Sequence, residues 1–135
     1  MYSIIPLQYS DYDEFLIGWW DEWGWVPPTR DFLPDDGKGG ILVSYDGIPV
    51  CAGFLYTTNS KVAWVDWIIS DRSFRKEEER KECIRLLVST LTNIAKKTGH
   101  KFAYALIKHK GLIEAYESLG YISGDNYTSE MIKSL

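Results

Sequence analysis

The sequence contains few of the residues that build disulfide frameworks and metal sites: it has two cysteines and two histidines among 135 residues. Cys51 lies in a strand-like run and Cys83 on a helix face. We therefore expect both to be free, buried thiols in a reducing compartment. His100 and His109 have no partners at metal-ligand spacing, so the sequence predicts no metal centre.

Long apolar runs and basic clusters are also lacking. The longest uncharged stretch, residues 47–60, is too short and too polar to span a bilayer. The first residues lack the basic start and apolar core of a secretory signal. The formal net charge of −4 and the pI near 5.1 argue against a nucleic-acid partner or an anionic membrane surface. We expect a cytoplasmic protein.

The composition is typical of one soluble domain. The hydrophobic fraction of 45% and the charged fraction of 25% are ordinary for a globular protein. A chain of 135 residues is long enough to enclose a core, and it shows no repeat or linker. We expect a single domain that spans residues 1–135.

Hydrophobic periodicity predicts an α/β chain in the order β-α-β-β-β-α-β-α-β, which differs from a Rossmann alternation. Asp46-Gly47 between two apolar runs is a strong hairpin signal. The long connection 24–40 is a candidate functional loop. The predicted strands are 3–7, 40–45, 48–57, 62–70, 102–107 and a closing pair at 121–123 and 127–132; the predicted helices are 11–22, 81–97 and 110–119.

A buried strand that runs directly into a long helix is the most informative combination in the chain. The strand VAWVDWIIS (Val62–Ser70) is followed by the charged segment DRSFRKEEER (Asp71–Arg80) and then by the helix. A helix that begins just after a buried strand offers unpaired N–H groups to a phosphate. The segment therefore predicts an anion site.

The charges around this helix start leave two interpretations open. Cations there could bind phosphates, but each carboxylate at about 6 Å from a phosphate costs roughly 0.7 kcal/mol in water and about 2.8 kcal/mol at an effective dielectric of 20. Alternatively, the run is a solvated helix start, since glutamates there gain about 0.3–1 kcal/mol each from the helix dipole. The cations are Arg72, Arg75, Lys76, Arg80 and Lys81, and the carboxylates are Glu77, Glu78, Glu79 and Glu82.

Two segments stand out: the charged turn with Phe74-Arg75, Glu78 and Arg80, and the segment Ala-Tyr-Glu-Ser-Leu-Gly-Tyr at 115–121. Both resemble the signature segments of the GCN5-related N-acetyltransferases (GNAT). Phe74-Arg75 stands where that family commonly has an aromatic residue and an arginine, and Glu78 and Arg80 stand where its glycines wrap the coenzyme A pyrophosphate. The second segment, Ala-Tyr-Glu-Ser-Leu-Gly-Tyr at 115–121, resembles the family pattern aliphatic-Tyr-x-x-x-Gly-aromatic. The element order is similar over nearly the whole chain, which looks like a small, divergent, phage-like member.

The resemblance implies a GNAT fold with a mixed, mostly antiparallel sheet of six or seven strands flanked by three or four helices. It implies that the co-substrate acetyl-CoA inserts where the fourth strand parts from the fifth and that pantetheine pairs with fourth-strand backbone. Because the turn lacks glycines, we expect coenzyme affinity to be weak or lost. The implied coenzyme-binding residues are Trp67, Ile68, Ile69, Ser70, Arg75, Lys76, Glu78, Arg80 and His109.

Two residues are candidates for proton transfer. The resemblance places Tyr116 beside the thioester sulfur, where a phenol with an ordinary pKa near 10 supplies a proton; alternatively its ring packs beneath the sheet with the hydroxyl satisfied by backbone. Asp66 is the only carboxylate within the central strand and is the candidate base. Its alternative is a solvated carboxylate or one paired with a lysine.

Four tryptophans precede the long connection. Trp19 and Trp23 fall on the predicted inward stripe of the first helix, so we expect them in the core. Trp20 and Trp25 fall off that stripe and are candidates for the acceptor site. Core or loop anchoring is the alternative for both.

The resemblance implies an N-acetyltransferase that moves an acetyl group from acetyl-CoA to a primary amine of a small molecule or peptide by direct attack. The alternative is a GNAT-fold binding or regulatory module that has lost catalysis and coenzyme binding. Single-stranded nucleic-acid binding on aromatic platforms is disfavoured by the acidic balance. A monomer and a homodimer both fit the sequence.

Overall fold

The computed structural model describes residues 1–135 and has one five-stranded sheet in the order β1-β2-β3-β4-β5. Neighbouring strands are antiparallel, except that β4 and β5 are parallel. The predicted α/β class and the mixed, mostly antiparallel sheet are confirmed. The elements are β1 (Tyr2–Pro6), α1 (Ile17–Glu22), β2 (Gly40–Tyr45), β3 (Ile48–Thr57), β4 (Val62–Ser70), α2 (Glu77–Lys97), β5 (Phe102–Tyr104) and α3 (Lys110–Ser118).

The sheet separates two apolar clusters. The helix α2 packs one face against β2 and β3, and its buried residues recur at helical spacing: Cys83, Leu87, Val88, Leu91 and Ala95. On the opposite face, a wide helical turn at Tyr12–Leu16 leads into α1, which packs with β3 and β4 around Leu16, Trp19, Trp20, Phe54 and Ile69. Each such large apolar side chain contributes about 1.5–3 kcal/mol when fully buried.

The long connection after α1 is pinned to the sheet rather than free. The Arg30 guanidinium lies 3.7 Å from the ring centre of Tyr9 and 4.5 Å from that of Tyr12. It also donates to the Asp13 carboxylate at 2.8 Å. Two short 3₁₀ turns, Arg30–Phe32 and Pro34–Gly37, follow. This loop places Phe32 against β4.

A bulge interrupts β4 at Trp67. The β3–β4 register shifts between Ala52 and Phe54, and Trp67 has a φ of 56°. A left-handed backbone at a residue other than glycine costs about 1–3 kcal/mol. Pairing of β4 with β5 ends at Trp64 and Tyr104, so the two strands part beyond those residues.

The predicted closing strand pair and two predicted element boundaries are wrong. The closing strand pair is absent: residues 121–135 form no helix or strand, and their apolar side chains are exposed, as at Ile122 and Met131. The strand β5 ends at Tyr104 instead of continuing to 107, and only β4 pairs with it. Five strands replace the predicted six or seven, and α2 begins at Glu77.

None of the helices combines the length and the apolar character needed to cross a bilayer.

Close backbone approach at Gly40 gives a stability prediction. A Cβ at this position would overlap the carbonyl oxygen of Gly53, so we expect Gly40→Ala to lower the free energy of unfolding by about 1–3 kcal/mol. The matched control is Gly18→Ala, because nothing lies within 4 Å of its added Cβ. Gly18 is in α1, so alanine there should add about 0.5–1 kcal/mol. Urea denaturation measures both; a Gly40→Ala variant as stable as the wild type would contradict this packing.

Candidate functional site

An open cleft of about 420 Å³ lies where β4 parts from β5. Its walls are the end of β4, the first two turns of α2 and one face of α3, and the segment after α1 covers its mouth. Ile68, Ile69 and Ser70 form the floor. The cleft therefore joins the two segments that the sequence singled out, although they lie far apart in the chain.

Where β4 and β5 no longer pair, side chains form hydrogen bonds with backbone groups that have no strand partner. Beyond Trp64 no strand pairs with this edge of β4. The Tyr116 hydroxyl donates to the Val65 oxygen at 2.6 Å, and the Trp23 indole N–H donates to the Ser70 oxygen at 2.8 Å. Asp66 Oδ2 accepts the N–H of Leu106 at 3.2 Å. These three bonds therefore give partners to the Val65 and Ser70 carbonyl oxygens and to the Leu106 N–H.

Two helices begin at the cleft without side-chain caps. In α2, the Arg80 N–H donates to the Lys76 oxygen at 2.9 Å, and no side chain caps the amides of residues 77–79. In α3, the Ile113 N–H donates to the His109 oxygen at 3.0 Å, and its start is also uncapped. Both helix starts are therefore suited to bind an anion. An α-helix of 21 residues supplies the first of them.

The backbone of the charged turn does not require glycine. No residue between Trp67 and Gly99 has a positive φ. The amides therefore come from an ordinary helix start and not from a nest, which needs a left-handed residue. The absence of glycines therefore changes the backbone shape of the anion site, but the free N–H groups of the helix start remain.

The cleft carries charges of both signs. Arg80, Lys81 and Arg85 line it together with four carboxylates, Glu77, Glu78, Glu82 and Glu114. The Arg80 guanidinium donates to the Phe74 oxygen at 3.2 Å and so holds the turn. Lys81 lies 3.9 Å from Glu78, and both side chains are exposed, so this ion pair contributes only about 0–1 kcal/mol.

Trp23 and Trp25 cover the cleft mouth. Their rings are stacked with centroids 5.9 Å apart, and the Trp23 ring also meets His109 edge-on at 6.2 Å. The prediction that Trp23 belongs to the core holds in part: Trp23 is partly buried and packs against the apolar cluster of α1, but it also lines the cleft.

The prediction that Trp20 lines an acceptor site is wrong, since 1% of it is exposed. The buried stripe of this segment repeats every four residues at Tyr12, Leu16 and Trp20. Sequence reasoning placed Tyr12, Leu16 and Trp19 correctly on the buried side, but it continued the stripe to Trp23 and left out Trp20.

The cleft brings together part of the predicted coenzyme set: Ile68, Ile69, Ser70, Glu78, Arg80 and His109, with Trp25 from the acceptor candidates. Outside the lining are three residues of the predicted coenzyme set, described next, and also Trp20, Asp66 and Tyr116. The Trp67 indole packs on the opposite face of the sheet against Trp20, Lys76 Nζ lies 5.3 Å from the Tyr45 ring centre, and Arg75 is exposed outside the lining. The bulge turns Trp67 away, and the α2 start directs Lys76 to β2.

Sequence reasoning missed several cleft residues, above all Arg85, Leu112 and Glu114. A helical signal was present. Positions 77, 78, 81, 82 and 85 of α2 share one face of the helix, adjacent to its buried stripe. That face is recognisable only when the start of the helix is placed at Glu77.

Tyr116 fits the packing alternative. It is 2% exposed and its hydroxyl proton is engaged by Val65. Burial, with a smaller contribution from the Asp66 charge, raises the pKa of Tyr116 well above its ordinary value. A phenol with a raised pKa is a weaker acid, so proton donation to a thiolate, whose thiol has an ordinary pKa near 8.5, is unfavourable. The role of Tyr116 as acid stays a prediction.

Asp66 lies at the point where β4 and β5 part. Its Oδ1 accepts the Trp67 N–H at 2.9 Å and its Oδ2 accepts the Leu106 N–H. Burial raises the pKa of Asp66, although the two N–H bonds act in the opposite direction. The carboxylate is half-buried and is neither fully solvated nor paired with a lysine, so neither part of its alternative describes it.

No group of three or more His, Cys, Asp or Glu side chains is arranged to hold a metal ion. Cys51 and Cys83 are both buried and free.

The Tyr116–Val65 bond gives a second stability prediction. Tyr116→Phe leaves a buried carbonyl without a donor, so we expect it to lower the free energy of unfolding by about 1–3 kcal/mol. Tyr121→Phe is the matched control: it loses a bond to Thr92, whose hydroxyl keeps a second partner in Val88, and should cost about 0.5–1.5 kcal/mol. Equal losses in urea denaturation would contradict a special role for the Val65 bond.

The raised pKa of Asp66 predicts a pH dependence. The native state keeps this proton to a higher pH than the unfolded chain, so wild-type stability falls, relative to Asp66→Asn, as pH rises from about 4 through the folded pKa. A hydrogen bond lost in the variant adds only an offset that is independent of pH. Denaturation of both proteins between about pH 4 and 7 measures the difference. If the wild type instead became more stable relative to Asp66→Asn as the pH rises, the folded-state pKa of Asp66 would be lowered.

Comparisons with known proteins support the fold. No protein-family model matches the sequence, and no curated protein matches it. Among solved structures, glucosamine-6-phosphate N-acetyltransferase from Arabidopsis thaliana superposes with a TM-score of 0.67 at 14% identity, covering 98% of this chain and 99% of that one.

Two further solved structures are similar at this level. The ribosomal-protein-S18-alanine N-acetyltransferase from Escherichia coli gives a TM-score of 0.67 at 17% identity over 93% of this chain and 80% of that one. A transcriptional regulator from Bacillus halodurans C-125 gives 0.67 at 12% identity over 98% and 100%. At these identities the likeness concerns the fold. The chain has the fold of the GCN5-related N-acetyltransferases.

Proposed function

We propose that this protein is an N-acetyltransferase that uses acetyl-CoA and acts on a primary amine in the cytoplasm. The observation that carries the proposal is the cleft itself, in which a parted strand edge meets two uncapped helix starts. That combination offers separate partners for an extended amide chain and for a diphosphate. The shared fold of two N-acetyltransferases supports the same activity.

The residues of the cleft divide into two parts by chemistry. The amides of residues 77–79 and the cations Lys81 and Arg85 suit the diphosphate of the coenzyme. The Asp71 N–H donates to Val50 on β3 at 2.7 Å, so strand alternation turns the backbone of Ser70 toward the cleft. Its N–H is then suited to a pantetheine carbonyl, while its oxygen is bound to Trp23.

The acyl transfer balances without a proton from Tyr116. The acceptor enters as an ammonium ion and loses one proton to a base, for which Asp66 is suited by its position and raised pKa. The amine nitrogen then attacks the thioester carbon, so that a C–N bond forms and the C–S bond breaks. The second amine proton goes to the departing thiolate. Tyr116 then positions β4 through Val65.

A second function is favoured by specific observations. The hydroxyl expected to serve as the acid is bound to backbone, and four carboxylates line the cleft. A protein described as a transcriptional regulator also shares the fold. These observations favour a GNAT-fold binding module that has lost acetyl-CoA binding, and titration of the chain with acetyl-CoA separates the two functions.

Neutralising one cleft carboxylate should tighten coenzyme binding. We expect Glu78→Gln to lower the calorimetric Kd for acetyl-CoA by about 3-fold or more, because one carboxylate at about 6 Å from a phosphate costs roughly 0.7 kcal/mol even in water. Glu79→Gln is the matched control: it removes the same charge from the same helical turn, but Glu79 does not line the cleft.

The outcomes separate the proposals. Tighter binding by Glu78→Gln alone, with acetylation of any amine by the wild type, supports the enzyme. Absence of acetyl-CoA binding by the wild type supports the binding module that has lost the coenzyme, and binding without turnover of any amine contradicts both functions. If neither the wild type nor Glu78→Gln releases heat with acetyl-CoA, the cleft does not hold the coenzyme. Equal effects of the two variants would show that only net charge matters.

A further inference from the structure

A second cluster of side chains lies at the parting of β4 and β5, on the α1 side of the sheet and outside the coenzyme cleft. We call it the aromatic patch. It consists of five aromatic side chains and one carboxylate: Phe32, Tyr56, Trp64, Asp66, Trp67 and Tyr104.

Strand register places most of the patch on one face. Tyr56 pairs with Trp64, and Phe54 pairs with Asp66, so alternation puts all four side chains on the face that Phe54 shares with α1. The Trp64 ring meets Tyr104 of β5 with centroids 4.4 Å apart. Asp66 therefore lies on the same strand face as an aromatic pair that closes one side of the patch.

The bulge brings the Trp67 ring into the aromatic patch, although regular strand alternation would place it on the other face. Consecutive residues of a regular strand point to opposite faces, but Trp67, with its φ of 56°, joins Asp66 on the α1 side. Its indole meets the Phe32 ring edge-on at 5.4 Å. The Tyr56 hydroxyl donates to the Phe32 oxygen at 3.1 Å and fixes that loop. Backbone strain is thus retained where it brings an aromatic ring to the carboxylate.

The patch is partly open and carries one negative charge. Phe32 is 41% exposed and Tyr104 is 40% exposed, while the carboxylate is half-buried. Each Asp66 oxygen accepts one N–H, which leaves a lone pair on each for a further donor. The six residues include no cation, so a phosphorylated amine finds no partner there. A polyamine finds only one carboxylate for several ammonium groups.

We propose that the aromatic patch is the acceptor site and that it takes an arylalkylamine, a compound with one ammonium group on a flat apolar body. The rings bind the aromatic body and the cation by stacking and cation–π contact, and Asp66 receives the ammonium proton before the nitrogen attacks the thioester carbon. The proposal names the substrate class of the transferase proposed above and depends on that function for its chemistry, although binding of the amine does not.

Two measurements on the full chain test it. The first is calorimetric binding of 2-phenylethylamine, spermidine and glucosamine 6-phosphate in the absence of coenzyme, and the second is kcat/KM for each amine with acetyl-CoA. We expect 2-phenylethylamine to bind most tightly and to give the highest kcat/KM. Phe32→Ala keeps the backbone oxygen that Tyr56 uses and should weaken 2-phenylethylamine binding by about 2- to 12-fold.

The control variant is Phe102→Ala, which removes an exposed ring of β5 outside the patch and should leave binding unchanged. Tighter binding of spermidine or glucosamine 6-phosphate, or equal effects of the two phenylalanine variants, would overturn the proposal. If acetyl-CoA neither binds nor reacts but 2-phenylethylamine binds with the expected variant pattern, the transferase function fails and the arylalkylamine site stands. If the protein acetylates another amine in preference to 2-phenylethylamine, the transferase function stands and the arylalkylamine site fails.

Discussion

Backbone pairing between β4 and β5 stops after Trp64 and Tyr104, and the arrangement of the candidate site depends on how the freed backbone groups are satisfied. Buried N–H and C=O groups without partners cost about as much as lost hydrogen bonds. Here the partners are side chains from three separate segments, namely Trp23, Asp66 and Tyr116. They satisfy the Ser70 and Val65 carbonyl oxygens and the Leu106 N–H while the strands stay apart, which is compatible with a cleft in the sheet.

The electrostatics of the cleft result from two opposing features. The uncapped starts of α2 and α3 favour an anion, and the carboxylates at the same helix start oppose one. Glutamate in the first turn stabilises α2 by the same dipole that would attract a phosphate. Helix stability and anion affinity therefore compete for the same positions, and Glu78 is one of the residues at which they conflict.

The two faces of the parted sheet have different chemistry. The face toward α2 and α3 carries charged side chains and free amides, whereas the α1 face carries aromatic rings together with Asp66. Trp67, which has a left-handed backbone, lies at the junction of the two faces. This position is the reason why a strained residue is found in a central strand. Arg30 fixes the loop that completes the α1 face, so this side of the site is held by packing as well as by hydrogen bonds.

Local signals in the sequence determined much of the fold. The Asp46-Gly47 turn with its positive φ angles, the alternation of β2 to β4 and the buried stripe of α2 all follow from short-range periodicity, which needs no knowledge of neighbours. The segments of the cleft were also recognisable, because the start of α2 and the Tyr116 region carry distinctive residues. The closing strand pair was predicted wrongly for the opposite reason: a strand needs an edge to pair with, and the length of β5 is not written in the pattern of residues 121–135.

Tertiary structure alone decided the roles of individual side chains. Trp20 and Trp23 are three residues apart in a run of tryptophans, and only packing against β4 shows that the first is core and the second covers the cleft. Likewise, Tyr116 could be matched to a motif, but its hydrogen bond to Val65, which lies 51 positions earlier in the chain, depends on the separation of β4 from β5. Sequence periodicity encodes which face of an element is buried, whereas the partner of a polar group is set by long-range geometry that no local pattern contains.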